Sequence, residues 1–357
     1  MKKTLAYLLL AAGILSLAGC QKTGTTGTAA GDNTIRFGAS SVAGTKTAYS
    51  GEITNNVERI DWVENDVLRI YSDKAAYRYN DAQFYSDYKV TSATASNEKS
   101  TAEVTPATGN GLVWGDEPDT YTFWGVYPAK DCANGASGVF NLNLPATQVG
   151  AATNVKTYGF LTAAATANIT ADDFDANKVV KTKKNGGTKD DVTLAFEPAF
   201  TAFEIELVSN DLAITVNSFS LSSEAKSLAG DFSVTYSGTT RTFADANDKI
   251  SNVITVENLG EIAPATGDAA AKTVKFTVFA QPQTFNDLKI SLAINVGGSA
   301  QTRSLKLTKN NVGVEFAALK KHRLKGVALP GELWNIYYAP LEVDEWTLLG
   351  TTDLILQ

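Results

Sequence analysis

Residues 192–209 read VTLAFEPAFTAFEIELVS, two strands in one short stretch, VTLAFEP and AFEIELVS. In the second, Phe203, Ile205 and Leu207 alternate with Glu204 and Glu206. That period of two puts apolar side chains on one face and charge on the other, as in a half-buried β-strand. The same pattern continues toward the C-terminus in ITVNSFSLSS, GDFSVTYSG, NVITVEN, KTVKFTVFAQP, LKISLAINV, QTRSLKLT and HRLKGVAL. Short strands at this spacing, divided by turn residues, predict a β-sandwich. No long amphipathic helix competes, and no repeat with a period of about 20–50 residues is visible.

Upstream the reading is again strand, turn, strand. TIRFGASS, residues 34–41, sets Ile35, Phe37 and Ala39 on one face. GTKTAYSG is a loop by composition. VERIDWVENDVLRIYS gives two short strands around ENDV, and AAYRYNDAQFYSDYKVT gives two more around a turn, with Tyr77 and Tyr79 on one face. YTFWGVYPA is a buried strand stopped by Pro128. Residues 151–170, rich in Ala and Thr, read as loop with a short helical turn. Asn185-Gly186-Gly187 is a strong turn signal set among Lys181, Lys183, Lys184, Lys189, Asp190 and Asp191. The domain boundary is expected there. The chain is thus expected to be all-β, with tandem β-sandwich domains over 34–186 and 187–333 and a distinct C-terminal segment over 334–357.

Composition narrows the function. Of the 357 residues, 19% are charged and the net charge is −7, with no basic stripe, so nucleic acid is not an expected partner. The single histidine, His322 in KKHRLKG, excludes paired-histidine metal motifs. Its basic neighbours make it a poor triad member, and it reads as a surface residue of a basic loop. Asp172/Asp173 and Asp190/Asp191 read as solvated loop charges, since adjacency in sequence does not aim two carboxyls at one bond. DDFDAN has calcium-loop spacing at Asp173, Asp175 and Asn177, but Lys178 and Lys184 stand where an EF-hand needs Gly and Glu. Cys132 sits beside Asp131 without a basic activator. No enzyme and no cofactor is expected.

The two ends carry the export signals and the puzzle. MKKTLAYLLLAAGILSLAGC opens on Lys2 and Lys3, runs apolar to Leu17, and closes on the LAGC box. This is a secretory signal, residues 1–20, in which Cys20 takes the lipid. More than one acyl chain holds such a protein on a membrane. Residues 21–33 are a flexible tether. Cys132 is then left without a partner for a disulfide. At the other end, WTLLGTTDLILQ, residues 346–357, is apolar to the last residue, an aggregation hazard if unpaired.

Together the lipobox, TIRFGAS…GTKTAY, IDWVENDVLRIY, YTFWGVYPA, LNLPATQVGAATNVKTYGFLTAAA, VTLAFEPAFTAFEIEL and ITVNSFSLSSEAKSLAGDF resemble the fimbrillin family, the pilins and pilin-like lipoproteins of Bacteroidetes type V pili. The resemblance implies domains of transthyretin-like character and assembly by strand exchange on the outer membrane. A surface trypsin-like protease cuts the loop after the first strand. The family cut usually follows Arg, whereas here the position is Lys46. The strand bearing Ile35, Phe37 and Ala39 then leaves, and another fimbrial subunit donates its C-terminal strand into the gap. Here Trp346, Leu348, Leu354 and Leu356 would fill the pockets. Trp334, Ile336 and Tyr338 continue the same face backward as a second docking strand. The implied role is adhesion, toward a host or bacterial surface receptor. Two other readings stand beside it. One is a tip or accessory subunit that donates no strand. The other is a glycan-binding surface lipoprotein using the aromatic cluster Tyr77, Tyr79, Phe84, Tyr85 and Tyr88, whose plainer reading is packing on a half-buried sheet.

Overall fold

In the computed structural model the described residues are 33–41, 48–54, 57–77, 80–95, 100–109, 111–150, 157–176, 180, 191–267, 269–309, 312–329, 333–340 and 347–352. They are built almost wholly of β-strands. Helical structure among them is limited to short turns, such as the 3₁₀ segments Gly135–Ser137 and Ala171–Asp173. None is long and apolar enough to cross a membrane.

The opening stretch joins the two halves. Its first strand, Val192–Pro198, lies beyond the expected boundary yet belongs to the N-terminal sheet. Its second, Thr201–Ser209, belongs to a C-terminal sheet. Val192, Leu194, Phe196 and Phe200 enter one hydrophobic cluster, and Phe203, Ile205 and Leu207 enter another. The chain passes from one core to the next over about three residues.

The N-terminal sheet closes on itself. In order its strands are Phe37–Ser41, Val192–Pro198, Leu161–Ile169, Asp119–Tyr127, Val67–Ser72, Tyr85–Ala95 and Ser100–Pro106. Alternate residues of these strands fill the interior: Leu68 and Ile70, Phe123, Leu194 and Phe196 are all buried. Closure leaves no free edge in this sheet.

Two expectations fail here. Leu161–Ile169 is a strand in the middle of the closed sheet, paired over its full length with Asp119–Tyr127. Its run of Ala and Thr has weak strand propensity, but nine residues of two-stranded pairing and the burial of Leu161, Thr162, Ala163 and Ile169 outweigh that. Likewise the segment read as a loop, GTKTAYSG, turns into strand from Ala48. Ala48–Thr54 forms a hairpin with Val57–Asp61, which satisfies its backbone groups.

The C-terminal half has two five-stranded sheets that contribute to one core. One runs Thr147–Gln148, Val253–Ile262, Ile214–Ser222, Lys289–Val296, Ser299–Lys306. The other runs Val274–Ala280, Thr201–Ser209, Lys321–Leu329, Leu333–Pro340, Thr347–Thr352. Phe203, Val216, Phe219, Leu292, Trp334 and Ile336 meet between them.

His322, expected on the surface, is 3% exposed. Lys321–Leu329 is an interior strand, parallel to Thr201–Ser209 and antiparallel to Leu333–Pro340. The imidazole packs 5.4 Å from the Phe203 ring and 5.3 Å from Phe316, with Nε2 3.0 Å from the Ala317 carbonyl. Next to it, the buried Lys321 Nζ lies 2.6 Å from Glu204, which also holds Lys275 at 3.0 Å.

The halves interlock. Val139–Leu144, before the boundary, pairs with Ala229–Ser237 after it, which in turn pairs with Thr240–Ser251. The buried Gln148 amide donates to the Phe279 carbonyl at 2.7 Å and accepts from the Phe279 N–H at 2.9 Å, acting as a ladder partner for an edge strand. Arg241 donates to the carbonyl of Pro198 at 2.8 Å and pairs with Glu197 at 2.9 Å. Phe200 meets Phe279 edge-on at 4.8 Å.

Burial pushes the Glu204 carboxyl up, but Lys321 and Lys275 pull it down further, so it titrates below its ordinary value. The pair therefore stabilises the fold above the ordinary carboxylate range, and the contribution is lost as pH falls through the depressed folded value. Glu204→Gln takes away the charge that the buried Lys321 ammonium pairs with at 2.6 Å and should cost about 3 kcal/mol at neutral pH. Urea denaturation of the variant should also show a flatter decline in stability on acidification than the parent. Equal stabilities at pH 7 would refute this role for the pair.

Candidate functional site

The N-terminal strand, Phe37–Ser41, is the strand that closes the seven-stranded sheet. On one side it runs parallel to Val192–Pro198, with Phe37 opposite Val192 and Ser41 opposite Phe196. On the other it runs antiparallel to Ser100–Pro106, with Ala39 opposite Ala102. The alternation read from sequence holds: Ile35, Phe37 and Ala39 are each at most 2% exposed. The Phe37 ring sits edge-on to Tyr88 at 5.1 Å and to Phe123 at 5.2 Å. The Tyr88 hydroxyl accepts from the Leu112 N–H at 2.9 Å, so this buried phenol is satisfied.

Further bonds lead into and out of the strand. Ile35 N–H donates to the Leu112 carbonyl and Trp114 N–H to the Asn33 carbonyl, each at 2.9 Å. At the far end Ser41 Oγ accepts from the Ser100 N–H at 3.2 Å. Arg36 N–H donates to Asp191 Oδ2 at 3.0 Å, and Asp191 N–H returns a bond to the Arg36 carbonyl at 2.9 Å. Asp191 is thus 6% exposed and structural, which corrects its reading as a solvated loop charge. It begins the chain's entry into Val192–Pro198, so its carboxylate meets the N–H that the parallel ladder leaves over at Arg36. Sequence gave no sign of this, because the two residues are 155 positions apart.

The C-terminal segment is in a different situation. Leu333–Pro340 is an interior strand, and Trp334 and Ile336 are buried in the second core. They are therefore not a second docking strand, as the sequence reading had it: their face is spent within the chain. Among the described residues, Thr347–Thr352 has Leu333–Pro340 as its ladder partner and forms the sheet's edge, with Leu348 opposite Tyr337. Cys20, Lys46, Trp346, Leu354 and Leu356 lie outside the described residues.

Other residues singled out from sequence are dispersed. Asp173 caps its own turn, accepting from the N–H and hydroxyl of Thr170 at 2.7 Å. No group of three or more potential metal ligands occurs among the described residues. Cys132 is free and buried, and burial pushes its thiol up. In the aromatic cluster Tyr88 is core, Tyr77, Phe84 and Tyr85 are half-buried, and Tyr79 lies outside the described residues.

No family model matches the chain, and no curated protein matches it. Solved structures do. A putative cell adhesion protein of Bacteroides ovatus is 15% identical, with 91% of this chain and 99% of that chain covered and a TM-score of 0.47. One of Bacteroides uniformis is 16% identical, with 87% and 99% covered and a TM-score of 0.48. The tip fimbrial protein Mfa3 of Porphyromonas gingivalis is 8% identical, with 85% and 98% covered and a TM-score of 0.37.

Because Phe37 is enclosed and bonded on both flanks, Phe37→Ala should cost about 3–5 kcal/mol in chemical denaturation. A cost below about 1 kcal/mol, the range of surface substitutions, would mean that the strand is not part of the core.

Proposed function

We propose that this chain is a pilus subunit assembled by strand exchange. It is exported as a lipoprotein through Cys20 and held at the outer membrane. A trypsin-like protease cuts after Lys46, the strand over residues 34–41 leaves, and another subunit fills the slot. The segment bearing Trp346, Leu348, Leu354 and Leu356 is the donor. The chain works without catalysis or cofactor, as two β-sandwich units of transthyretin-like character, and serves adhesion at the cell surface.

One observation carries this reading: the strand at the N-terminus is flanked by a partner on each side and supplies Ile35, Phe37 and Ala39 to the core. Taking it away opens two backbone edges and a hydrophobic slot at once. Such a slot is satisfied by an extended strand, whose main chain gives affinity and whose alternate side chains give specificity. A second reading has its own support. Thr347–Thr352 is paired within the chain, which suits a tip or accessory subunit that receives a strand and donates none.

Limited trypsin treatment of the mature protein separates the readings. A stalk subunit clipped at Lys46 should form a ladder of oligomers on gels run without boiling. A form ending at residue 345 should keep its fold by circular dichroism and form no ladder. Clipped protein that stays monomeric, with its 34–41 strand still bound, would refute strand exchange.

A further inference from the structure

The geometry points to a binding site for a neutral saccharide in a cleft on the N-terminal half, independent of the strand-exchange slot. The cleft measures about 740 Å³ and is lined by Tyr71, Phe84, Tyr85, Asp131, Cys132 and Ala136. That volume is in the range of small-molecule sites. Small residues make the room: Ala82, Ala133 and Ala136 line it, and a Cβ on Gly135 would lie 2.4 Å from the Tyr71 ring.

The walls are fixed. The Tyr71 hydroxyl donates to the Lys130 carbonyl and accepts from the Cys132 N–H, each at 2.8 Å, which pins the loop carrying Asp131 against the sheet. The rings of Tyr71 and Tyr85 are 5.5 Å apart. Arg69 lies beneath, bound to both oxygens of Asp87 at 2.6 and 2.9 Å and to Asp131 Oδ1. The Asp131 side chain, which lines the cleft, is 87% exposed.

Charge then selects the ligand. Arg69 already engages Asp87 and Asp131, so its guanidinium is poorly placed to take an anionic ligand. A cation is disfavoured on the aromatic wall, because the Arg69 guanidinium already sits 4.7 Å from the Tyr85 centroid. A wholly apolar ligand would desolvate Asp131 without giving it a partner. A sugar meets every condition. Its C–H face, weakly positive, lies on the negative face of a half-buried ring, and its hydroxyls donate to Asp131 Oδ2.

The test uses the mature full chain and saturation-transfer NMR with methyl α-mannoside, methyl β-galactoside and N-acetylglucosamine, beside a lysine tripeptide. Ala133→Trp fills the cleft from an exposed position, and Asp131→Ala removes the acceptor. Both are surface changes, and thermal melts check that each variant folds. The expected result is transfer to at least one sugar, weakened at least about tenfold by either variant. No transfer to any of the three, transfer undiminished in Ala133→Trp, or binding of the tripeptide in their place would overturn the assignment. Because the experiment involves no cleavage or polymerisation, its failure would leave the pilus reading standing, and the reverse also holds.

Discussion

The first unit depends on a backbone constraint: a sheet of seven strands closes only when residues 37–41 lie between residues 192–198 and 100–106. The closing strand comes from the start of the chain, while its parallel partner arrives some 155 residues later, so closure requires most of the unit to be in place. Without it, two rows of N–H and C=O groups and the Phe123–Tyr88 pocket face water, a state that buried backbone groups and aromatic surface both disfavour. The register is equally constrained. A slip of one residue would turn Ile35, Phe37 and Ala39 outward together.

The second unit does not share this dependence. Its core is filled by residues from 203 to 336, and none of them comes from the N-terminal strand. The link between units is made elsewhere: by Gln148 on Phe279, by Arg241 on Pro198, and by Val139–Leu144 on Ala229–Ser237. Loss of the N-terminal strand would therefore open one sheet and take no residue from the second core.

The alternation in VTLAFEPAFTAFEIELVS was legible because each strand buries one face, and both halves of that stretch are strands. The boundary was harder to read. A cluster of turn residues and charge marks where the chain leaves the surface, whereas the change of core comes between Ala202 and Phe203, after one more strand has been laid into the first sheet. Leu161–Ile169 was hidden because propensity is local and its pairing partners are not. His322 was misread for a related reason. Its neighbours Lys320, Lys321 and Arg323 suggest solvent, but Lys321 is held by Glu204 across a parallel pair that sequence order does not announce. Asp191 is the same case: a buried carboxylate is tolerated where an N–H meets it, and that N–H belongs to Arg36, at the other end of the unit.

The two ends of the chain therefore occupy unlike positions. At roughly 3.3 Å per residue, nine residues of strand such as 33–41 reach about 30 Å, and a twelve-residue segment would reach about 40 Å if fully extended. Length alone does not favour exchange, because Thr347–Thr352 already has a ladder with Leu333–Pro340. That ladder is one-sided. A strand seated between Ser100–Pro106 and Val192–Pro198 is bonded on both sides, as Phe37–Ser41 is. Moving a tail from its own sheet's edge into a vacated slot exposes one edge, at Leu333–Pro340, and covers two. Trp334 and Ile336 would stay in their own core through such a move. Under the proposed exchange, the balance of paired backbone would favour transfer only after the slot is empty, and removal of the N-terminal strand would then be the step that commits the chain to assembly.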